Sequence, residues 1–172
     1  MQAKITSQDL TQVETPCLIL GVFSERQLSD AAKTIDVASN GALTAVLEQG
    51  DLDGKTGGAL MLYGVAGVNA KRLLLANCGK HEEFDRSAYE KALKAALAQL
   101  DTARLSSALC ALTALEPNGM DTYQCVRHTV LLAAQSAYRY TETKKPAAEA
   151  AAPLGELDCW IPDGTPTEPA ER

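Results

Sequence analysis

Four stretches of the chain are apolar without alternation: Cys17–Val22, Ala59–Tyr63, Leu73–Ala76 and Leu109–Leu112. Each has the length of a β-strand, and unbroken hydrophobicity predicts strands covered on both faces, as in a sheet held between helices. Short buried helices share this pattern, so the flanks decide. Pro16 precedes the first run, Gly57-Gly58 the second, and Gly79 follows the third, which is the punctuation of strands between turns. Gln2–Thr6 and Leu154–Ile161 are weaker candidates for a strand at either end.

Between these runs the period changes. Ser29 is a plausible N-cap for a helix carrying Ala31, Ile35 and Ala38, and Asn40-Gly41 predicts a stop or break before Leu43, Val46 and Leu47 continue to Gly50. From Asp85 to Leu100, Tyr89, Leu93, Leu97 and Leu100 recur at helical spacing while Lys91, Lys94 and Gln99 fall elsewhere. After the turn residues Pro117-Asn118-Gly119, a third pattern runs from Asp121 through Tyr123, Val126, Val130, Ala134 and Ala137 to about Tyr140. The resulting order of strand, helix, two strands, helix, strand, helix predicts an α/β fold with a parallel or mixed central sheet and helices on both faces.

Beyond Tyr140 the composition shifts. Five of the seven prolines fall in residues 141–172, and Pro146–Pro153 reads as a loose connector. Residues 1–140 carry 15 acids and 13 bases, a balance of −2, whereas residues 141–172 carry 7 acids and 3 bases, a balance of −4. A nearly neutral body with an acidic tail is a poor match to nucleic acid, because Lys and Arg on phosphates supply most of that affinity. The expected organisation is one domain over 1–140, then a Pro-rich acidic segment with one possible strand at 154–161, leading as a linker to a further domain.

Aromatic residues are only 5% of the chain, so its core is expected to rest on Leu, Val, Ile and Ala. Cys17, Cys78, Cys110, Cys125 and Cys159 are odd in number and never form a C-x-x-C pair, which argues against a zinc ribbon or a disulfide framework. The start, Met1-Gln2-Ala3-Lys4-Ile5, lacks a signal-peptide pattern. No stretch approaches the roughly 18 apolar residues of a membrane span. A cytoplasmic protein with reduced thiols and no membrane association is expected.

Candidate chemistry is sparse. His81-Glu82-Glu83, with Asp85 behind, is the one place where a histidine adjoins carboxylates. Its spacing differs from H-E-x-x-H, and neighbouring side chains at a helix entry do not converge on one ion. His128 lies in the last helix beside Arg127 with no nucleophile pattern nearby. The glycine groups Gly50–Gly54, Gly57-Gly58 and Gly64–Gly67 match neither dinucleotide nor phosphate-loop signatures, and Gly64–Gly67 reads as a hairpin or crossover turn. On residues alone, the chain is an α/β domain to which no catalytic, cofactor-binding or metal-binding residue is assigned.

Three stretches together add more: Cys17–Ser24 (CLILGVFS), Ala42–Gly54 continuing into Lys55-Thr-Gly, and Lys71–Lys80 (KRLLLANCGK) followed by Glu82–Ala92. In order and spacing they resemble the amino-terminal domain of the leucyl, or cytosol, aminopeptidase family, over about residues 15–140. The resemblance implies a macro-domain-like three-layer α/β/α sandwich with a mixed sheet, joined to a separate catalytic domain. That domain would hold two divalent metals (Zn or Mn), a catalytic Lys and Arg and an Asn-Thr-Asp-Ala-Glu-Gly-Arg stretch, which residues 1–172 do not contain. It further implies a homohexamer with amino-terminal domains outward, leaving this domain a structural or regulatory role. Two alternatives remain open: an ADP-ribose-binding module, by analogy with macro domains, and a DNA-binding accessory domain using Lys71, Arg72, Lys80 and Arg86, since some bacterial members bind DNA.

Overall fold

The computed structural model describes residues 1–52, 56–143 and 153–165, with the side chains of residues 139–143 outside that description. In chain order its elements are β1 (Ile5–Thr6), β2 (Leu18–Phe23), β3 (Gln27–Leu28), α1 (Asp30–Ala38), α2 (Ala42–Glu48) and β4 (Ala59–Tyr63). They continue as β5 (Arg72–Asn77), α3 (Arg86–Thr102), β6 (Ser107–Cys110), α4 (Thr122–Thr143) and β7 (Glu156–Trp160). Every apolar run yields a strand, although the fourth is displaced: β6 ends at Cys110, and Leu112–Ala114 turns as a short 3-10 helix.

The strands lie in the order β1-β7-β6-β2-β5-β4, with β3 folded back on β2. Neighbours from β1 to β5 run parallel, whereas β4 is antiparallel to β5 and β3 antiparallel to β2. A mixed sheet is therefore present. Alternate residues of the central strands feed two cores. Leu18, Leu20, Val22, Leu73 and Leu75 pack with Ile35 of α1 and with Leu43 and Leu47 of α2. Ile19, Leu74 and Ala76 pack on the other face with Tyr89, Leu93 and Leu97 of α3 and Cys125 and Ala133 of α4. The three-layer α/β/α arrangement follows, and β2 and β5 are apolar throughout because both their faces are covered.

Full cover is not extended to β4. All its residues are half-buried or exposed because it is the last strand of the sheet, with a hydrogen-bonded neighbour on one side alone among the described residues. The Gly64–Gly67 segment belongs to the antiparallel β4–β5 connection. Gly67 has φ +88°, and a Cβ there would collide with the Ala38 carbonyl oxygen at the end of α1, so backbone packing accounts for this glycine.

Local signals set the helix ends. The Ser29 hydroxyl accepts from the Ala32 N–H at 3.3 Å, and the Asp85 carboxylate from the Ala88 N–H at 2.9 Å. At the start of α4, Asp121 and Gln124 exchange backbone-to-side-chain bonds of 2.8 and 3.0 Å in a reciprocal cap. The break at Asn40-Gly41 is real, both residues having positive φ. Asp36 then reaches from α1 to cap α2, accepting from the Leu43 and Thr44 N–H groups at 2.9 and 3.0 Å.

The possible strand near the chain end is β7, and it lies inside the sheet between β1 and β6. A unit that stopped at residue 140 would lose β7 and, with it, the strand to which β1 pairs. The remaining expectations for 141–172 fall largely on residues 144–152 and 166–172, outside the described residues.

Candidate functional site

The topology singles out one place. From β2 the chain leaves through α1 toward β4 and β5, whereas from β6 it leaves through α4, on the opposite layer, toward β7. The carboxyl ends of β2 and β6 thus flank the point where strand order reverses, the usual crevice of open α/β sheets. A cleft of about 750 Å³ opens there.

Its apolar floor includes Phe23 at the end of β2, Ala111 just after β6, Leu115 and Trp160. Phe23 is held edge-on by His81 (ring centroids 4.8 Å, 70° between planes) and by Phe84 (5.2 Å, 83°). The Trp160 indole N–H donates to the Gln8 carbonyl at 2.8 Å. Arg26, Lys33 and Asp30 are polar at the rim, and Lys33 lies 3.2 Å from Asp30. Between β2 and α1 the chain does not run straight on: it turns at Ser24–Arg26 and returns as β3, with Glu25 at φ +61° and Arg26 at φ +62°. Positive φ at residues other than glycine costs on the order of 1–2 kcal/mol each, so the surrounding structure imposes this turn.

The residues singled out by sequence are dispersed. His81 lines the cleft, but Glu83 pairs with Lys80 at 3.2 Å and Asp85 caps α3. Among the described residues no group of three or more His, Cys, Asp or Glu side chains is placed to hold a metal ion. The two divalent metals that the resemblance implies find no donor set among these residues. His128 faces α3, its Nδ1 3.7 Å from Glu90 Oε1, which also takes Arg86 Nε at 3.0 Å. Burial, assisted by Arg86, holds the His128 pKa below the ordinary histidine value despite Glu90, an arrangement that joins two helices. Lys71 and Arg72 lie at the start of β5, and Lys80 and Arg86 lie beyond its end, a strand length of about 20 Å away. Lys80 and Arg86 are paired with acids, and Arg72 stands over the Tyr63 ring at 5.6 Å.

A smaller recess of about 270 Å³ lies toward the amino ends of β6 and β7. There Lys4 Nζ bridges Glu156 Oε1 at 3.0 Å and Asp158 Oδ2 at 3.5 Å. Desolvation raises the Asp158 pKa, outweighing the attraction of Lys4. Sequence reading missed this group and the floor of the cleft because both join residues more than 100 positions apart with no local pattern.

The model of the cytosol aminopeptidase family, N-terminal domain, matches residues 19–147. The chain belongs to the cytosol aminopeptidase family. A probable cytosol aminopeptidase of Tolumonas auensis is 36% identical over 157 residues, 91% of this chain and 31% of that protein. The chain therefore spans about a third of such relatives. A tomato leucine aminopeptidase superposes with TM-score 0.67 at 16% identity, over 99% of this chain and 34% of that one. A variant macrodomain of Oceanobacillus iheyensis, solved with ADPR, superposes with TM-score 0.65 at 11% identity, over 97% of this chain and 88% of that one. This cytosol aminopeptidase domain thus has the macrodomain-like fold. None of its described helices is long and apolar enough to cross a membrane.

Proposed function

We propose that this chain is the non-catalytic amino-terminal domain of a two-metal aminopeptidase, to which it contributes structure and assembly rather than chemistry. The observation that carries the reading is the match to the amino-terminal family model in a chain whose described residues offer no metal-holding group. Peptide hydrolysis at a two-metal site needs several converging carboxylate or imidazole donors. The parent enzyme removes amino-terminal residues from peptides in the cytoplasm, as a hexamer built around its catalytic domains.

Residues 1–172 are expected to release no leucine from a leucyl substrate with manganese or zinc added, while the polypeptide that joins them to a catalytic domain does so and sediments as a hexamer. Metal-dependent release of leucine by pure residues 1–172 would overturn the proposal.

A further inference from the structure

The cleft at the carboxyl ends of β2 and β6 is large enough for a ligand, yet its geometry is poorly suited to phosphate. The Ser24–Leu28 hairpin contains no glycine and stands between the end of β2 and the start of α1, where backbone would otherwise approach a pyrophosphate. In the first turn of α1, the Ala32 N–H already donates to Ser29 and the exposed carboxylate of Asp30 occupies the end that attracts anions. What the cleft does offer is a mosaic of half-buried apolar side chains, Leu28, Ala114, Leu115 and Trp160, rimmed by Arg26 and Lys33. Such a centre and rim are the composition of a protein interface.

Pro162, two residues past β7, forms part of the cleft wall, so the chain leaves β7 at this rim. Relatives such as that of Tolumonas auensis are about three times as long as the matched segment, and the family model is that of the amino-terminal domain. We infer that this cleft is the seat on which the catalytic domain of the same polypeptide docks, an inference that rests on the function proposed above. A domain tethered at the rim has a high effective concentration there, so a modest interface suffices. The docked surface carries an apolar side chain onto the Leu28–Trp160 floor and acceptors facing Arg26 and Lys33.

The test compares lysine acylation in the polypeptide that includes the catalytic domain and in residues 1–172. Lys33 lines the cleft, while Lys71, also exposed, lies at the opposite end of the sheet. The expected result is a several-fold slowing at Lys33 on attachment of the catalytic domain, with Lys71 unchanged. An Ala114→Arg variant of the longer polypeptide should restore Lys33 reactivity while its helix content stays the same. Equal Lys33 rates in the two proteins overturn the docking, as does protection of Lys33 in residues 1–172 by ADP-ribose alone. A longer polypeptide without metal-dependent peptidase activity contradicts the proposed function instead, so the two failures are distinguishable.

Discussion

Tyr89 Oη lies 2.7 Å from Thr129 Oγ1, joining α3 to α4 between two fully buried side chains. The same phenol donates to the Cys125 carbonyl at 3.3 Å, so the Thr129 hydroxyl supplies the proton of the shorter bond. Burial pushes the Tyr89 pKa well above its ordinary value and keeps the ring neutral. Tyr89→Phe retains the packing but strips a partner from two buried groups, and a loss of about 1–2 kcal/mol is expected. In a chain of this length that is a fall of roughly 2–4 °C in melting temperature per kcal/mol. An unchanged melting curve would show that the hydroxyl is not a tie.

All five cysteines are buried and unpaired. Desolvation raises the Cys17, Cys78, Cys110 and Cys125 thiols to about 12 and pushes Cys159 up as well. Since the thiolate is the reactive form, the folded protein should react negligibly with a chromogenic disulfide at pH 8, and five thiols should titrate once denaturant is added. Rapid release of one equivalent from the native protein would locate a reactive cysteine that burial does not account for.

Asp158 bears on pH dependence. Desolvation raises its folded pKa above the value of an unfolded aspartate, 3.8, so in that window the folded state binds more protons. Stability from this group is present below the unfolded value and is lost as pH rises through the folded one. Asp158→Asn should therefore raise the melting temperature relative to the parent at pH 7, and by less at pH 3.5, where the carboxyl is protonated. A variant that is destabilised at pH 7 but not at pH 3.5 would mean that the ion pair with Lys4 outweighs desolvation.

Much of the fold was legible because the strongest signals are local. Ser29, Asp85 and Asp121 cap helices that the periodicity predicts, and the runs at Leu18 and Leu73 are apolar because they lie in the middle of the sheet. Two residues of β3 make no pattern, and β7 was separable from its Pro-rich surroundings only as a possibility. The position of β7 between β1 and β6 depends on pairing across more than 150 residues for β1. The cleft was illegible for the same reason: Phe23, Ala111 and Trp160 become neighbours only when β2, β6 and β7 align. Family resemblance succeeded where residue chemistry ran out, because the order of whole segments survives when no single motif is diagnostic.

ADP-ribose binding is one of the alternatives that the sequence leaves open, and the geometry at β2 predicts the outcome of testing it. A diphosphate at the start of α1 would meet the Asp30 carboxylate, and the Ala32 N–H there is already spent on Ser29. Strong anion sites at helix ends need free N–H groups and close backbone approach. Calorimetric titration of residues 1–172 with ADP-ribose should accordingly give no saturable heat at micromolar concentrations. Saturable heat that disappears in an Arg26→Glu variant would instead assign the cleft to a nucleotide and make the hairpin part of its site.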